Sequence, residues 1–238
     1  DGYEWIVDID LEKFFDTVPQ DRLMSLVHNA EVEVLESETN LEILLKGWKL
    51  VARNPRLRLF VSANLLEIFS NTIWVSSIIL VFVTELLNKT ESYWGYSNTA
   101  YSIGIIISGL IAFRLSEKFL AAKWESILFP LVAMAIVTLT ILYFPNAQMF
   151  LLFSALVGML SQLKEVPESV FLQETVEENH LVNVYSVLEV ISTLAFSVFV
   201  LLMSYITESF GISISFWLSA ICLMIEAILI YIRRDYFK

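Results

Sequence analysis

The fold class this sequence predicts is an all-α integral membrane protein, a bundle of six membrane-crossing helices. Three observations predict it. Of the 238 residues, 57% are hydrophobic and only 17% charged, against about 45–50% and 25% in soluble domains. Mean hydropathy is +0.68. The apolar residues fall in long uncharged runs of the length that a bilayer core requires of a helix, roughly 20 residues. A water-soluble enzyme of this size could not bury so much apolar surface, and a disordered chain would not carry it.

Residues 59–84 hold a single charge, Glu67, and give the first predicted span. The uncharged stretch 92–113, between Glu91 and Arg114, gives the second, about 95–115. Residues 126–163 are uncharged over 38 positions, too long for one crossing. Pro145-Asn146 divides this run, because proline and a turn-favouring asparagine end helices, and spans near 125–144 and 147–167 result. The last two spans, about 183–207 and 211–232, contain only Glu189 and Glu226 and are separated by Gly211.

Charge divides the chain into two compositions. Residues 1–45 hold twelve acids against Lys13 and Arg22, and the remainder is close to neutral. No basic patch is large enough to hold nucleic acid by phosphate neutralisation. A lone cysteine, Cys222, and two histidines, His28 and His180, offer no disulfide framework or His/Cys metal site, and no cofactor is expected. Cys222 falls mid-span and reads as an inert packing residue.

Twelve lysines and arginines fall on one side of the predicted spans. They are Lys46, Lys49, Arg53, Arg56 and Arg58 before the first, and Arg114, Lys118, Lys123 and Lys164 between later ones. Arg233, Arg234 and Lys238 follow the last. Lys89 stands alone on the other side. Positive charge stays inside, so both ends of the bundle are expected to be cytoplasmic and the protein to lie in the cell membrane.

Six spans preceded by EILLKGWKLVARNPRLRLF resemble the C-terminal half of a major facilitator superfamily transporter, with greatest similarity to the drug and macrolide efflux branch. GIIISGLIAFRLSEKF resembles the family's glycine-containing helix and basic loop, and FLQETVEENHLVNVYSVLEV resembles the loop and start of its eleventh helix. The resemblance covers residues 41–238. The loop after Arg114 departs from the family pattern, with Ser116-Glu117-Lys118-Phe119 in place of Asp-Arg-Phe-Gly-Arg. It implies half of a twelve-helix fold, working on small amphipathic substrates under a proton gradient. The missing partner would be an N-terminal half or a second copy.

The opening DGYEWIVDIDLEKFFDTVPQDRLMSLV resembles the first palm motif of group II intron-type reverse transcriptases, a strand followed by a helix. By that resemblance Asp10 matches a metal-binding aspartate and Phe15 a sugar-screening aromatic. No later Asp-Asp pair joins Asp10, and two-metal catalysis needs several converging carboxylates, so no polymerase activity is expected. Residues 1–30 therefore read as a fragment, residues 31–58 as a linker and amphipathic lead-in, and residues 233–238 as a tail. The expected whole is a transporter piece, inactive alone, fused to a vestigial fragment.

Within the spans, Asn64, Glu67 and Asn71 share one helical face, which predicts a substrate or proton site centred on Glu67, because intramembrane acids are functional by default. The alternative is a structural pairing with Arg58 or Lys164 near the cytoplasmic surface. Ser154, Gly158, Ser161 or Gln162, and Glu165 line one face of the fourth span, where ordinary small-residue packing competes with a pathway role. Glu189 is a further pathway candidate. Glu226 is expected in a surface ion pair with Arg233 and Arg234. Gly104 and Gly109 are five apart and make no GxxxG seam.

Overall fold

The computed structural model describes the backbone of residues 40–74, 76–121 and 123–237, and side chains from residue 45 apart from 75–77 and 115–123. The chain forms two units, residues 1–46 and 47–238. Only residues 40–46 of the first are described, so the strand and helix expected near Asp10 and Phe15 lie outside the described residues.

Every regular element among the described residues is helical, with the main helices α1 Asn40–Arg53, α2 Pro55–Asn71, α3 Ser76–Val81, α4 Ser92–Ala121, α5 Lys123–Tyr143, α6 Ala147–Thr175, α7 Glu178–Phe210 and α8 Ile212–Ile232. Five of these, α4 to α8, are long and apolar enough to cross a membrane, and α2 with α3 makes a sixth, bent candidate.

Local chemistry sets the boundaries. Asn54 caps α2 by accepting the backbone N–H of Arg56 at 2.9 Å, with Pro55 at the first helical position, where its missing N–H and fixed φ suit the helix. Asn146 caps α6 through Gln148 and Met149. Gly211 takes φ +86° between α7 and α8, a left-handed backbone reserved in practice for glycine.

Three boundaries differ from the sequence reading. The first span is not one straight helix. Its two parts meet at 43°, after the 3₁₀ turn Thr72–Trp74. Thr72 Oγ1 donates to the Phe69 carbonyl at 2.6 Å, the local side-chain competition that bends helices, and a π turn Phe82–Leu86 follows. The fourth span runs on to Thr175 through Pro167, and the basic segment after Arg114 continues as helix to Ala121. A proline is tolerated in a packed membrane helix because neighbours accommodate the lost bond. The segment after α8 packs back on the bundle, with Phe237 buried and its ring 4.4 Å from that of Phe171.

Packing runs α4 on α6, α6 on α5, α5 on α8, α8 on α2 and α2 on α7. Phe82 ties the interior together, its ring 5.3 Å from Phe150 and 5.1 Å from Phe216, all three fully buried. The α4–α6 seam depends on two glycines. A Cβ at Gly104 would strike the Ala155 carbonyl, and one at Gly158 would strike that of Tyr101, so the backbones approach as small residues allow. Gly109 meets nothing. Deeper in the bundle Ser70 of α2 and Ser219 of α8 are joined reciprocally. Each hydroxyl lies 3.0 Å from the other's carbonyl, and the two oxygens are 2.7 Å apart.

Candidate functional site

A charged centre lies where α2, α6 and α8 converge. Lys164 of α6 is 1% exposed, and its Nζ lies 2.5 Å from Glu67 Oε2 on α2, 2.7 Å from Glu168 Oε1 one turn on, and 3.3 Å from Glu226 Oε1 on α8. The carboxylates differ in wetting: Glu67 is 13% exposed, Glu168 16% and Glu226 not at all. Three carboxylates around one ammonium leave a formal surplus of negative charge in a region where charge is expensive. Glu67 lies four residues before the end of α2, and Lys164, Glu168 and Glu226 lie in the second halves of α6 and α8.

One helical turn away, about 5.4 Å along the axis, a cavity opens. Its volume is about 290 Å³, and Asn71, Trp74, Asn98, Tyr101, Ser161 and Phe196 are among its lining residues. Asn71 is four residues beyond Glu67, and Ser161 three before Lys164. Aromatic faces and uncharged amide and hydroxyl groups make its wall amphipathic, with no carboxylate, amine or guanidinium among the described residues that line it. A shallower hollow shares Asn71 and Phe196 with it and adds Glu189, Ser192 and Thr193.

The residues singled out in the sequence separate into three groups. Glu67, through Lys164, belongs to the charged centre; Arg58 is exposed and is not its partner. Asn71, Ser154 and Ser161 line the cavity, while Glu189 lines only the hollow. Asn64 accepts a hydrogen bond from Ser192 Oγ at 3.0 Å, joining α2 to α7. Gln162 is half-buried, and Glu165 is exposed and contributes to neither site.

One expectation is overturned. Glu226 is not a surface partner of Arg233 and Arg234: it is fully buried against Lys164. The arginines instead lie over aromatic rings, Arg234 5.1 Å from Tyr231 and 5.8 Å from Trp124, and Arg233 5.9 Å from Tyr236. The signal was in the sequence. Ser215, Ser219 and Glu226 fall at i, i+4 and i+11, one face of α8, and all three are buried. Glu168 was missed as well, although it follows Lys164 by the four residues that place two side chains together on a helix.

The family model described as Major Facilitator Superfamily matches residues 42–238. The chain belongs to that superfamily. Two relatives come from Bacillus subtilis (strain 168), each named as an uncharacterized MFS-type transporter. YfmI is 27% identical over 87% of this chain and 51% of its own length. YjbB is 28% identical over 79% of this chain and 46% of its own. The chain thus spans about half the length of the curated relatives it matches. No solved structure matches it significantly. The relatives it matches are named as transporters.

Proposed function

We propose that these helices form one half of an exporter of small amphipathic compounds, of the drug or macrolide type, in the cell membrane with both ends of the bundle cytoplasmic. One observation carries the reading. The amphipathic cavity at Asn71 and Ser161 lies one turn from the buried charges of Glu67 and Lys164, along both α2 and α6. A solute site and an ion site on the same two helices can report each other's occupancy when those helices move. The twelve-to-one bias of basic residues supports the orientation.

Substrate sites in such folds lie between two repeats that rock against one another. The opposite wall of the cavity is then supplied by six further helices, from the same polypeptide, a partner or a second copy. The opening segment, with Asp10 as a lone match to a metal-binding motif, takes no part in transport and is read as a vestigial reverse-transcriptase fragment.

The test is accumulation of a fluorescent amphipathic dye in cells stripped of their own efflux pumps. Chain 1–238 is produced alone, or with the first six helices of the Bacillus relative YfmI. Energy-dependent dye efflux with the added half supports the reading. Efflux by chain 1–238 alone, running as a dimer in detergent, identifies a second copy as the source of the opposite wall. No efflux in either case, with both halves in the membrane, sinks the reading.

A further inference from the structure

Among the described residues Glu226 is the buried carboxylate left without a hydrogen bond. It is fully buried, and neither of its carboxylate oxygens has a hydrogen-bond partner. Its Oε1 approaches Lys164 Nζ at 3.3 Å, but not in hydrogen-bonding geometry. An unpaired buried carboxylate is strongly unfavourable. Lys164 cannot correct this, because it is held closer by Glu67 at 2.5 Å and Glu168 at 2.7 Å. Those two are partly wetted, whereas Glu226 is dry, so as a carboxylate it would need a further counterpart.

The geometry offers a place for that counterpart. Carboxylate oxygens of Glu67, Glu168 and Glu226 come within 4.8 Å of one another. Lys164 contacts one oxygen of each, leaving each carboxylate a second oxygen. We propose that Glu67, Glu168 and Glu226 bind one sodium ion beside the Lys164 ammonium. All the donors are oxygen, which selects a hard cation. Of the formal surplus of two negative charges, the one on Glu226 is the one that water cannot reach, and one positive charge offsets it. Magnesium and calcium bring two charges each and demand fuller, more fixed shells, whereas water at the partly exposed edges of Glu67 and Glu168 can complete the shell of a sodium ion. Sodium takes the place of the proton that the sequence suggested at Glu67. The inference rests on the transport reading only in making this ion the coupling ion, since its binding can be measured without transport.

The experiment is equilibrium binding of radiolabelled sodium to purified chain 1–238 in lipid nanodiscs. Expected is saturable binding of one ion per chain, displaced by unlabelled sodium but not by magnesium or calcium. Glu226→Gln, which keeps the shape and removes the dry charge, should abolish it. Glu125→Gln, at an exposed acid on α5, should leave it intact. Circular dichroism and a monodisperse size-exclusion peak establish that each variant is folded. Three results each overturn the proposal: no saturable sodium binding by the folded wild-type chain at neutral or mildly alkaline pH, binding that survives Glu226→Gln, or displacement by a divalent ion. Efflux without sodium binding sinks this inference and leaves the transport reading, and sodium binding without efflux does the reverse.

Discussion

Lys164 Nζ lies 2.5 Å from Glu67 Oε2, joining positions 97 residues apart across α2 and α6. The lysine is buried at 1% exposure and also contacts Glu168 and Glu226, so it is the sole cation shared by three acids. Removing it should cost far more than removing any one acid, because breaking a buried ion pair leaves uncompensated charge, an effect of about 3–5 kcal/mol. Lys164→Met should therefore lower the thermal midpoint of the purified chain sharply, as followed by circular dichroism in detergent. Adding Glu67→Gln and Glu226→Gln to it should restore much of the loss. A triple variant no more stable than Lys164→Met would show that the lysine is not what holds these acids.

The α4–α6 seam makes a packing prediction. Gly158→Val should disrupt the bundle, because its new side chain meets the Tyr101 backbone rather than a flexible tip. Overpacking of this kind costs about 1–3 kcal/mol or more. Gly109→Val, on the same helix as Gly104 but facing open space, should be tolerated. Yield of monodisperse protein and its melting midpoint distinguish the two, and equal behaviour would contradict the close approach.

These two sites also mark how much the sequence disclosed. Length and apolarity made the spans legible, because the bilayer demands long uncharged helices and Pro145-Asn146 and Gly211 punctuate them. Glu67 stood out as the only charge in its run. Its partner Lys164 was legible only as one of two basic candidates beside Arg58, because Lys164 sits where a span was expected to end. The neighbouring Pro167 concealed that α6 continues to Thr175. Glu226 was drawn toward Arg233 and Arg234 by proximity along the chain, although the face it shares with Ser215 and Ser219 turns it inward. The break after Asn71 carries no proline or glycine, and the hydroxyl of Thr72 that accompanies it is an ordinary residue in a membrane helix. Gly104 and Gly158 lie on different helices, so no spacing within one helix could pair them.

The reciprocal pair Ser70 and Ser219 should be cooperative but modest. Hydrogen bonds between membrane helices average about 0.6 kcal/mol in double-mutant cycles. Ser70→Ala and Ser219→Ala should each lower stability slightly. The double variant should lose less than the sum, since either substitution alone already removes the contact between the two hydroxyls. Denaturation of the four proteins in detergent gives the coupling, and strict additivity would indicate that the pair contributes nothing jointly.

Orientation is checked by labelling. With Cys222→Ser as background, cysteines placed at Lys89 and Asn146, both exposed in turns between helices, should react with an impermeant reagent in intact cells. One at Glu177, exposed between α6 and α7, should react only after the cells are opened. The motive is the basic-residue bias of the helix ends, and reversed reactivity would invert the assignment.

The sharpest functional prediction separates the acids. In cells where chain 1–238 and a complementary half restore efflux, Glu67→Gln and Glu226→Gln should both lower it strongly, because both carboxylates face Lys164 in the one buried centre. Glu165→Gln should change it little, since Glu165 is exposed and touches neither the centre nor the cavity. Glu189→Gln should fall between, because Glu189 lines the hollow that shares Asn71 and Phe196 with the cavity. From sequence alone Glu226 belonged with the tolerant positions; its burial against Lys164 moves it beside Glu67. Initial efflux rates at matched membrane expression decide the order. If Glu226→Gln transports as well as wild type while Glu67→Gln does not, the centre is not a functional unit, and Glu226 serves only to balance charge.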